Sequence, residues 1–552
     1  MKKKLISMLL AGTMILGMAG CGETVPVETS SAETVEISSE TFAETDASSQ
    51  TPENVDWMTP YEETVTISVA REAVTNEFPE GDDLTNNIWT RSYKDRFNVD
   101  VVTEWISDEY DTKLNLAIAS GDLPDVFTVN NVQLKQLMEA GLLADLTDVY
   151  AAYASDTLKS IEESESDILE TAQMEGRLYA IPSLYFGYQP NILWLRQDWL
   201  GEMGKEFPST IEELKDILIE MKEKSGGYSL AVDQTLDGLY SLAIAWGAYP
   251  KLWVEGDDGQ IIYGATAAEM KDALQEWADW YSQGILDPDF ATMNSEALIE
   301  ETVAGKNGAM LCGSWWGWNY GIDMIKNLGE EAYFMPCEIP TVSGEKAYYP
   351  MQFLNEDYIV VNKDCQNPEA AIKLINFYVY INNDAYPSGD MTQEEVSEYT
   401  ANNMQHNTKV FTVNNPADDY NRYKMITEAR ETGDESVMTT AVAIECYNGA
   451  KLWTEEKNPD GFGYAAQFGM DGCGMEVCNG IVEDDRIMRT RMWGGSPQVL
   501  LDYGSTLDDI LLEGFTKIIM GTENVDYFDT LIDQWYAAGG QEVTDAVNEM
   551  YQ

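Results

Sequence analysis

The chain has 552 residues, 44% of them hydrophobic, long enough to bury two or more cores. It carries 96 acidic against 33 basic residues, a formal charge of −63. So acidic a body repels phosphate backbones and anionic lipid heads, which excludes nucleic acid and direct membrane-surface binding as expected roles.

The elements begin with Lys2, Lys3 and Lys4, an apolar stretch from Leu5 to Met18, and the small pair Ala19-Gly20 directly before Cys21. A positive start, an apolar run too short for a comfortable span and a small-residue end are the layout of an export signal, here residues 1–21. The cysteine after the small pair resembles the bacterial lipobox, with Met18 in place of the usual leucine. It implies that Cys21 is diacylated, and two acyl chains anchor stably where one does not. The alternative is an ordinary cleaved signal with a coincidental cysteine. Residues 22–60 are dominated by Ser, Thr, Glu, Ala and Val without Lys or Arg, and are expected to form a disordered tether. No later window holds eighteen uninterrupted apolar residues, so the body, 61–552, is expected outside the cell, touching the membrane only through Cys21.

The body opens with a predicted strand at Val65–Ala70, an amphipathic segment around Asn87–Arg96 and a second strand at Val99–Thr103. A helix over Tyr110–Ala119 ends at Gly121, and Leu123–Phe127 starts a third strand. Alternation of strand and helix with short connectors argues for βαβ units, mainly parallel pairing and an α/β body. Further helices are predicted at Thr210–Lys224, after the stop and cap Pro208-Ser209-Thr210, at Ala267–Gln283, and at Glu369–Tyr378 after Asn367-Pro368.

The run from Tyr110 to Phe127, with Ala119-Ser120-Gly121-Asp122-Leu123-Pro124-Asp125-Val126 at its end, resembles the opening signature of bacterial extracellular solute-binding proteins of family 1. The likeness continues in order through Gly141–Leu146, Gly176–Pro182, Leu195-Arg196-Gln197-Asp198-Trp199-Leu200, Tyr281–Phe290, Gly305–Met310 leading into Trp315-Trp316, Phe515–Gly521 and Trp535–Gly540. The resemblance is nearest to lipoproteins that present oligosaccharides to ABC-type permeases. It implies a two-lobed periplasmic-binding-protein-like clamp with hinge crossings. The lobes are expected at about 61–180 plus 335–385, and 181–334 plus 386–552. Some relatives carry a calcium loop where this chain reads Lys222-Glu223-Lys224-Ser225-Gly226-Gly227-Tyr228, which lacks the carboxylate series calcium needs, so no calcium is expected there.

The aromatics point independently toward a sugar. Trp315, Trp316 and Trp318 crowd a glycine-punctuated stretch, as do Tyr188 before Gln189, Trp246 before Gly247, and Trp493 before Gly494. A pyranose has an apolar C–H face and a rim of hydroxyls, which suits a flat ring beneath and polar side chains at the edge. Core packing is the competing reading for each ring. Trp315, Trp316, Trp246, Tyr188 and Trp493 are the candidate stacking residues. Gln189, Asp122, Asn130 and Asp357 are the candidate polar contacts, with Asn131, Gln352 and Asn355 as comparable loop-end positions. Asp122 lies at a helix-to-strand corner, where open α/β sheets place ligands.

Catalysis is not expected. A cell-surface glycoside hydrolase is the rival reading, but 96 acids single out no carboxylate pair. There is no Gly-x-Ser-x-Gly elbow, and His406, the one histidine, sits in a polar loop-like stretch. Cys473 and Cys478 could pair, or share zinc only with ligands the chain lacks. No cofactor or metal is expected, and the partners are a small solute, most simply an oligosaccharide, and the permease subunits the resemblance implies. A peptide or another polyol is an alternative ligand.

Overall fold

The computed structural model of the chain describes residues 55–74, 78–185, 189–256, 258–352, 355–400, 409–493 and 496–551. Cys21 with the rest of the expected signal, most of the expected tether, Tyr188 and His406 lie outside the described residues. Pro52–Gln552 is one compact unit, and it contains two hydrophobic cores.

β1 (Val65–Glu72), α1 (Ile88–Phe97), β2 (Val99–Ser107), α2 (Tyr110–Ser120) and β3 (Val126–Val129) alternate as predicted, and α3 (Asn131–Glu139) follows. β1 pairs in parallel with both β2 and β3. Local chemistry sets the boundaries. Asn87 accepts from the backbone N–H groups of Trp89 and Thr90 in a capping box that starts α1. Gly121, at φ 75°, ends α2 in the left-handed conformation. β4 (Ala180–Leu184) then leads out of the first lobe, and β5 (Ile192–Arg196) opens the second. There, α4 (Ile211–Ser225) starts at the predicted Thr210 cap, and α5 (Glu269–Ser282), β6 (Ala309–Cys312) and β7 (Phe334–Cys337) follow.

The chain returns through β8 (Tyr349–Met351) to β9 (Asn355–Val361) and α6 (Pro368–Asn383). Every residue of α6 from Ala370 to Ile381 is buried, the pattern of a helix packed on all sides. α7 (Asp418–Thr432), β10 (Ile487–Arg489) and α8 (Gln498–Ile519) belong to a largely helical C-terminal part.

Pairing departs from the parallel expectation. The first sheet has the order β2-β1-β3-β9-β4, and β9 runs antiparallel to both its neighbours. The second, β6-β5-β7, is antiparallel throughout. The cause is the excursion into the second lobe: β4 runs into the crossing and β9 comes back out of it, so the two must oppose.

Two expected boundaries are corrected. The Val55 N–H donates to the Ala152 carbonyl (3.0 Å), and the Trp57 ring lies 5.9 Å from both Phe97 and Tyr380, so packed structure begins before residue 61. Met391, Val396, Tyr399, Phe411 and Val413 are buried in the first core, which carries the first lobe past residue 385. Both segments have the apolar side chains that a tether or a second-lobe surface would lack.

Candidate ligand-binding cleft

Register fixes which sheet ends meet. Asn355 at the start of β9 pairs with Leu184 at the end of β4, and Tyr358 pairs with Val129 at the end of β3. In the second lobe, Ile192 at the start of β5 pairs with Cys312 at the end of β6. In sequence, the outgoing crossing, 185–191, leads from the first of these edges to the second. Loops at strand ends of this kind are where open α/β sheets hold ligands.

Both lobes line one cavity of about 580 Å³, within the range of small-molecule sites. The first lobe contributes Asn131, Gln352 and Asn355; the second contributes Trp253, Tyr263 and Thr490 among others. Asn131 follows the capping residue of α3 and accepts from the buried Tyr358 hydroxyl (3.0 Å). Opposite, the Tyr263 ring stacks on Trp535 (6.0 Å between centroids, 11° between planes) and lies 5.4 Å from Trp253. The Trp253 backbone N–H donates to the Thr490 hydroxyl (3.2 Å), which ties this wall to the segment just after β10.

Burial raises the Tyr263 phenol above its usual range, and the neighbouring Asp508 carboxylate raises it further. Asp508, on α8, is itself held above the usual carboxylate range by surrounding protein, against the pull of Lys251 and the Tyr263 hydroxyl. Among the described residues, no group of three or more His, Cys, Asp or Glu side chains could hold a metal ion. The wall therefore sets stacked rings beside the hydrogen-bonding groups of Tyr263, Thr490 and Asp508.

The profile described as bacterial extracellular solute-binding protein matches residues 76–379. The chain belongs to this family. The lipoprotein LipO of Bacillus subtilis is 22% identical over 483 residues, 82% of this chain and 86% of LipO. A fructooligosaccharide ABC transporter substrate-binding protein, FusA of Streptococcus pneumoniae, is 24% identical over 209 residues, 33% of this chain and 39% of FusA. Among solved structures, the alginate-binding protein AlgQ2 superposes with a TM-score of 0.61 at 18% identity, covering 90% of this chain and 99% of AlgQ2. The solute-binding protein of an HMO-binding ABC transporter of Bifidobacterium longum infantis gives 0.58 at 15%, covering 88% of this chain and 98% of its own. Like them, this extracellular solute-binding protein is a two-lobed clamp.

The predicted ligand residues of this solute-binding protein divide sharply. Trp315, just past the end of β6, is 47% exposed and offers an open ring. Trp316 is 1% exposed and packs on Trp194 (5.9 Å) and Phe334 (4.8 Å), which corrects its assignment as a stacking residue: the ring is filled on its sides by core. Trp246 is half-buried and meets Trp277 and Trp280 edge-on at the margin of the second core.

Gln189 is half-buried and its amide is engaged by the protein: it accepts from the Ser314 hydroxyl (3.0 Å) and donates to Asp419, which is ion-paired with Arg422. Gln467 in turn donates to Ser314 (3.3 Å) and accepts from the Trp318 indole. This network ties the outgoing crossing to the tryptophan loop and to α7. The Asn130 side chain accepts from the Val132 and Gln133 N–H groups (3.1 and 3.0 Å), so its oxygen caps α3. Asp122 is exposed at the α2 turn and lines neither the interlobe cavity nor those beside it. Asp357 is half-buried beside a register shift in β9. Trp493 packs against the first core with the Arg489 guanidinium 4.7 Å above its ring.

Tyr263, Trp253, Thr490 and α8 were not among the expected site residues. Their one sequence signal is the hairpin turn Asp258-Gly259 between Trp253-Val254-Glu255 and Ile261-Ile262-Tyr263, with an aromatic at each outer end.

Proposed function

We propose that the chain is the receptor of an ABC-type importer, held at the outer face of the membrane by acyl chains on Cys21, and that it captures an oligosaccharide between its lobes without transforming it. The cavity lined jointly by Asn131, Gln352 and Asn355 on one side and by Tyr263, Trp253 and Thr490 on the other carries this reading. Amide and hydroxyl groups opposite stacked aromatic rings match the rim and the face of a sugar ring. FusA, whose name records a fructooligosaccharide, and the lipoprotein LipO support the ligand class and the anchor.

No covalent step is needed. A sugar resting on the second-lobe rings and hydrogen-bonded to first-lobe amides interacts with both lobes only when they are close, so it favours the closed state. The joint between the lobes has the parts for such motion. β8 and β10 form a two-stranded sheet beside the crossings, and Ile487 packs against both cores. Arg486, buried before β10, binds Glu338 (2.7 Å) and the Ala347 carbonyl (3.0 Å), holding the return crossing to β10. The permease then reads the closed form.

Thermal unfolding of the purified mature protein against an oligosaccharide panel, with sugar analysis after overnight incubation, tests the reading. At a hundredfold excess over its dissociation constant, a native-state ligand adds about 2.7 kcal/mol of stability. A shift with the sugar recovered intact supports the receptor. Cleaved sugar would replace it with the hydrolase, and shifts confined to peptides would move the ligand class.

A further inference from the structure

The interlobe cavity is the middle of a longer groove. Toward the first lobe it abuts a cavity of about 670 Å³, with which it shares Asn131, Ser496 and Leu501. Away from the first lobe it abuts a third, of about 930 Å³, with which it shares Lys251, Tyr263 and Asp508. α8 lines all three, with Gln498 in the first and Lys517 at the far end of the last. At 1.5 Å per helical residue these two positions lie ~28 Å apart. A single sugar ring would occupy a small part of that length.

The charges on the groove favour an uncharged occupant. Lys251 is paired with Asp237 (3.1 Å) and Lys517 with Glu513 (2.6 Å), and these are the cations among the described residues lining the three cavities. Asp508 and Asp509 add negative charge to the same wall. A chain bearing a carboxylate on each unit would meet cations already held by carboxylates, and further carboxylates beside them. An uncharged polyol loses nothing to that arrangement and gains acceptors for its hydroxyls.

We propose that the groove along α8 binds a linear, uncharged oligosaccharide, its inner units between the lobes and its outer units on the second lobe. The proposal rests on the carbohydrate reading of the cleft. Tyr263 marks the neck where the chain passes from the interlobe cavity into the outer one. Tyr240, whose ring carries the Lys251 ammonium 5.0 Å from its centroid, lines the outer cavity.

The test is isothermal titration of the mature protein with malto-, cello-, xylo- and fructo-oligosaccharide ladders, from disaccharide to hexasaccharide, and with oligogalacturonides of the same lengths. In one neutral ladder, affinity should rise about tenfold or more from the shortest member to the longest, because added units reach added surface. Tyr240→Ala should pull the long members back toward the short ones while leaving the disaccharide unchanged. Thr516→Trp, which narrows the outer cavity from α8, should do the same, and serves if the first variant folds poorly. Oligogalacturonides should bind about tenfold more weakly than neutral chains of equal length. Affinity independent of length, a length effect untouched by both variants, or tighter binding of the uronides would overturn the groove proposal while leaving the receptor in place. Binding by no sugar of any ladder would remove the carbohydrate reading, and the groove proposal with it.

Discussion

The loop from Gly313 to Tyr320 and the wall formed by Trp253, Tyr263 and Trp535 are both aromatic, and they use their rings in opposite ways. The loop concentrates three tryptophans in four residues. Trp316 is closed in by Trp194 and Phe334, and Trp318 donates to Gln467 and meets Tyr464 at 4.3 Å; of the three, Trp315 alone is exposed. The wall joins a hairpin, which supplies Trp253 and Tyr263, to the distant Trp535, and packing behind Tyr263 holds that ring at a cavity both lobes line. Ring density along a sequence therefore measures how much packing a segment must do; a ligand surface arises where a packed ring is left one free side. Trp315 and Tyr263 have that side, and Trp316 does not.

The strongest way to break this comparison is Trp316→Ala. If the ring is core, its loss should lower the unfolding free energy in denaturant by ~3–5 kcal/mol, with any fall in affinity secondary. A stable variant that no longer binds sugar would return Trp316 to the ligand. The next test concerns the tie between loop and crossing. Asp418, beside Asp419 in the first turn of α7, faces Arg422 and Asn415, with Tyr378 of α6 nearby. Burial pushes its carboxyl up to about 6, with Asp419 adding to the rise and Arg422 and Asn415 opposing it. A carboxyl whose pKa is raised by folding stabilises below its unfolded value, about 3.9, and that stability is lost as pH rises through the folded value. Asp418→Asn should therefore stabilise the protein at pH 7, by up to ~3 kcal/mol, and change it little at pH 4, as melting at the two pH values would report. An equal effect at both would mean that the carboxyl titrates normally.

Smaller effects fall on the two open rings. Trp315→Ala and Tyr263→Ala should each weaken oligosaccharide binding by about 1–3 kcal/mol, if each ring anchors a sugar face. Trp315→Ala should leave the unfolding midpoint close to that of the parent. Tyr263→Ala should lower it as well, because it uncovers Trp535. If Trp315→Ala binds normally and Tyr263→Ala does not, the sugar lies wholly along the α8 wall.

Much of the fold could be read in the chain, because its determinants are local. The Thr210 cap, the Gly121 stop and the alternation from Val65 to Val129 each act within a few residues. The ordered family motifs made the two lobes readable as well. The antiparallel β9 was not legible, since its direction depends on where the chain re-enters the sheet. The site was less legible for the same reason. Gln189 and Asn130 have the right chemistry for a sugar, but partners distant in sequence, or the helix end beside them, already use it. Tyr263 sits in a short strand, and its partner Trp535 is far away in sequence, so beyond the hairpin turn at Asp258-Gly259 nothing near it announces a binding wall.

Asn130 and Asn131 repeat the contrast of Trp316 and Trp315 at the opposite rim, with the smallest expected effect. The Asn130 oxygen accepts two backbone N–H groups at the start of α3, and the Gln133 side chain returns a bond to the Asn130 N–H (3.0 Å), so the pair closes the helix end. Asn130→Ala should lower stability by ~1 kcal/mol and leave sugar affinity nearly unchanged. Asn131 lines both the interlobe cavity and its neighbour, and there it accepts from Tyr358, which holds its amide in place. Asn131→Ala should do the reverse, weakening binding more than folding. Titration and denaturant unfolding of the two variants side by side decide the matter. If Asn130→Ala loses affinity while Asn131→Ala keeps it, the cap rather than the cavity would be what the ligand touches, and the first-lobe rim would need to be redrawn around Asn130.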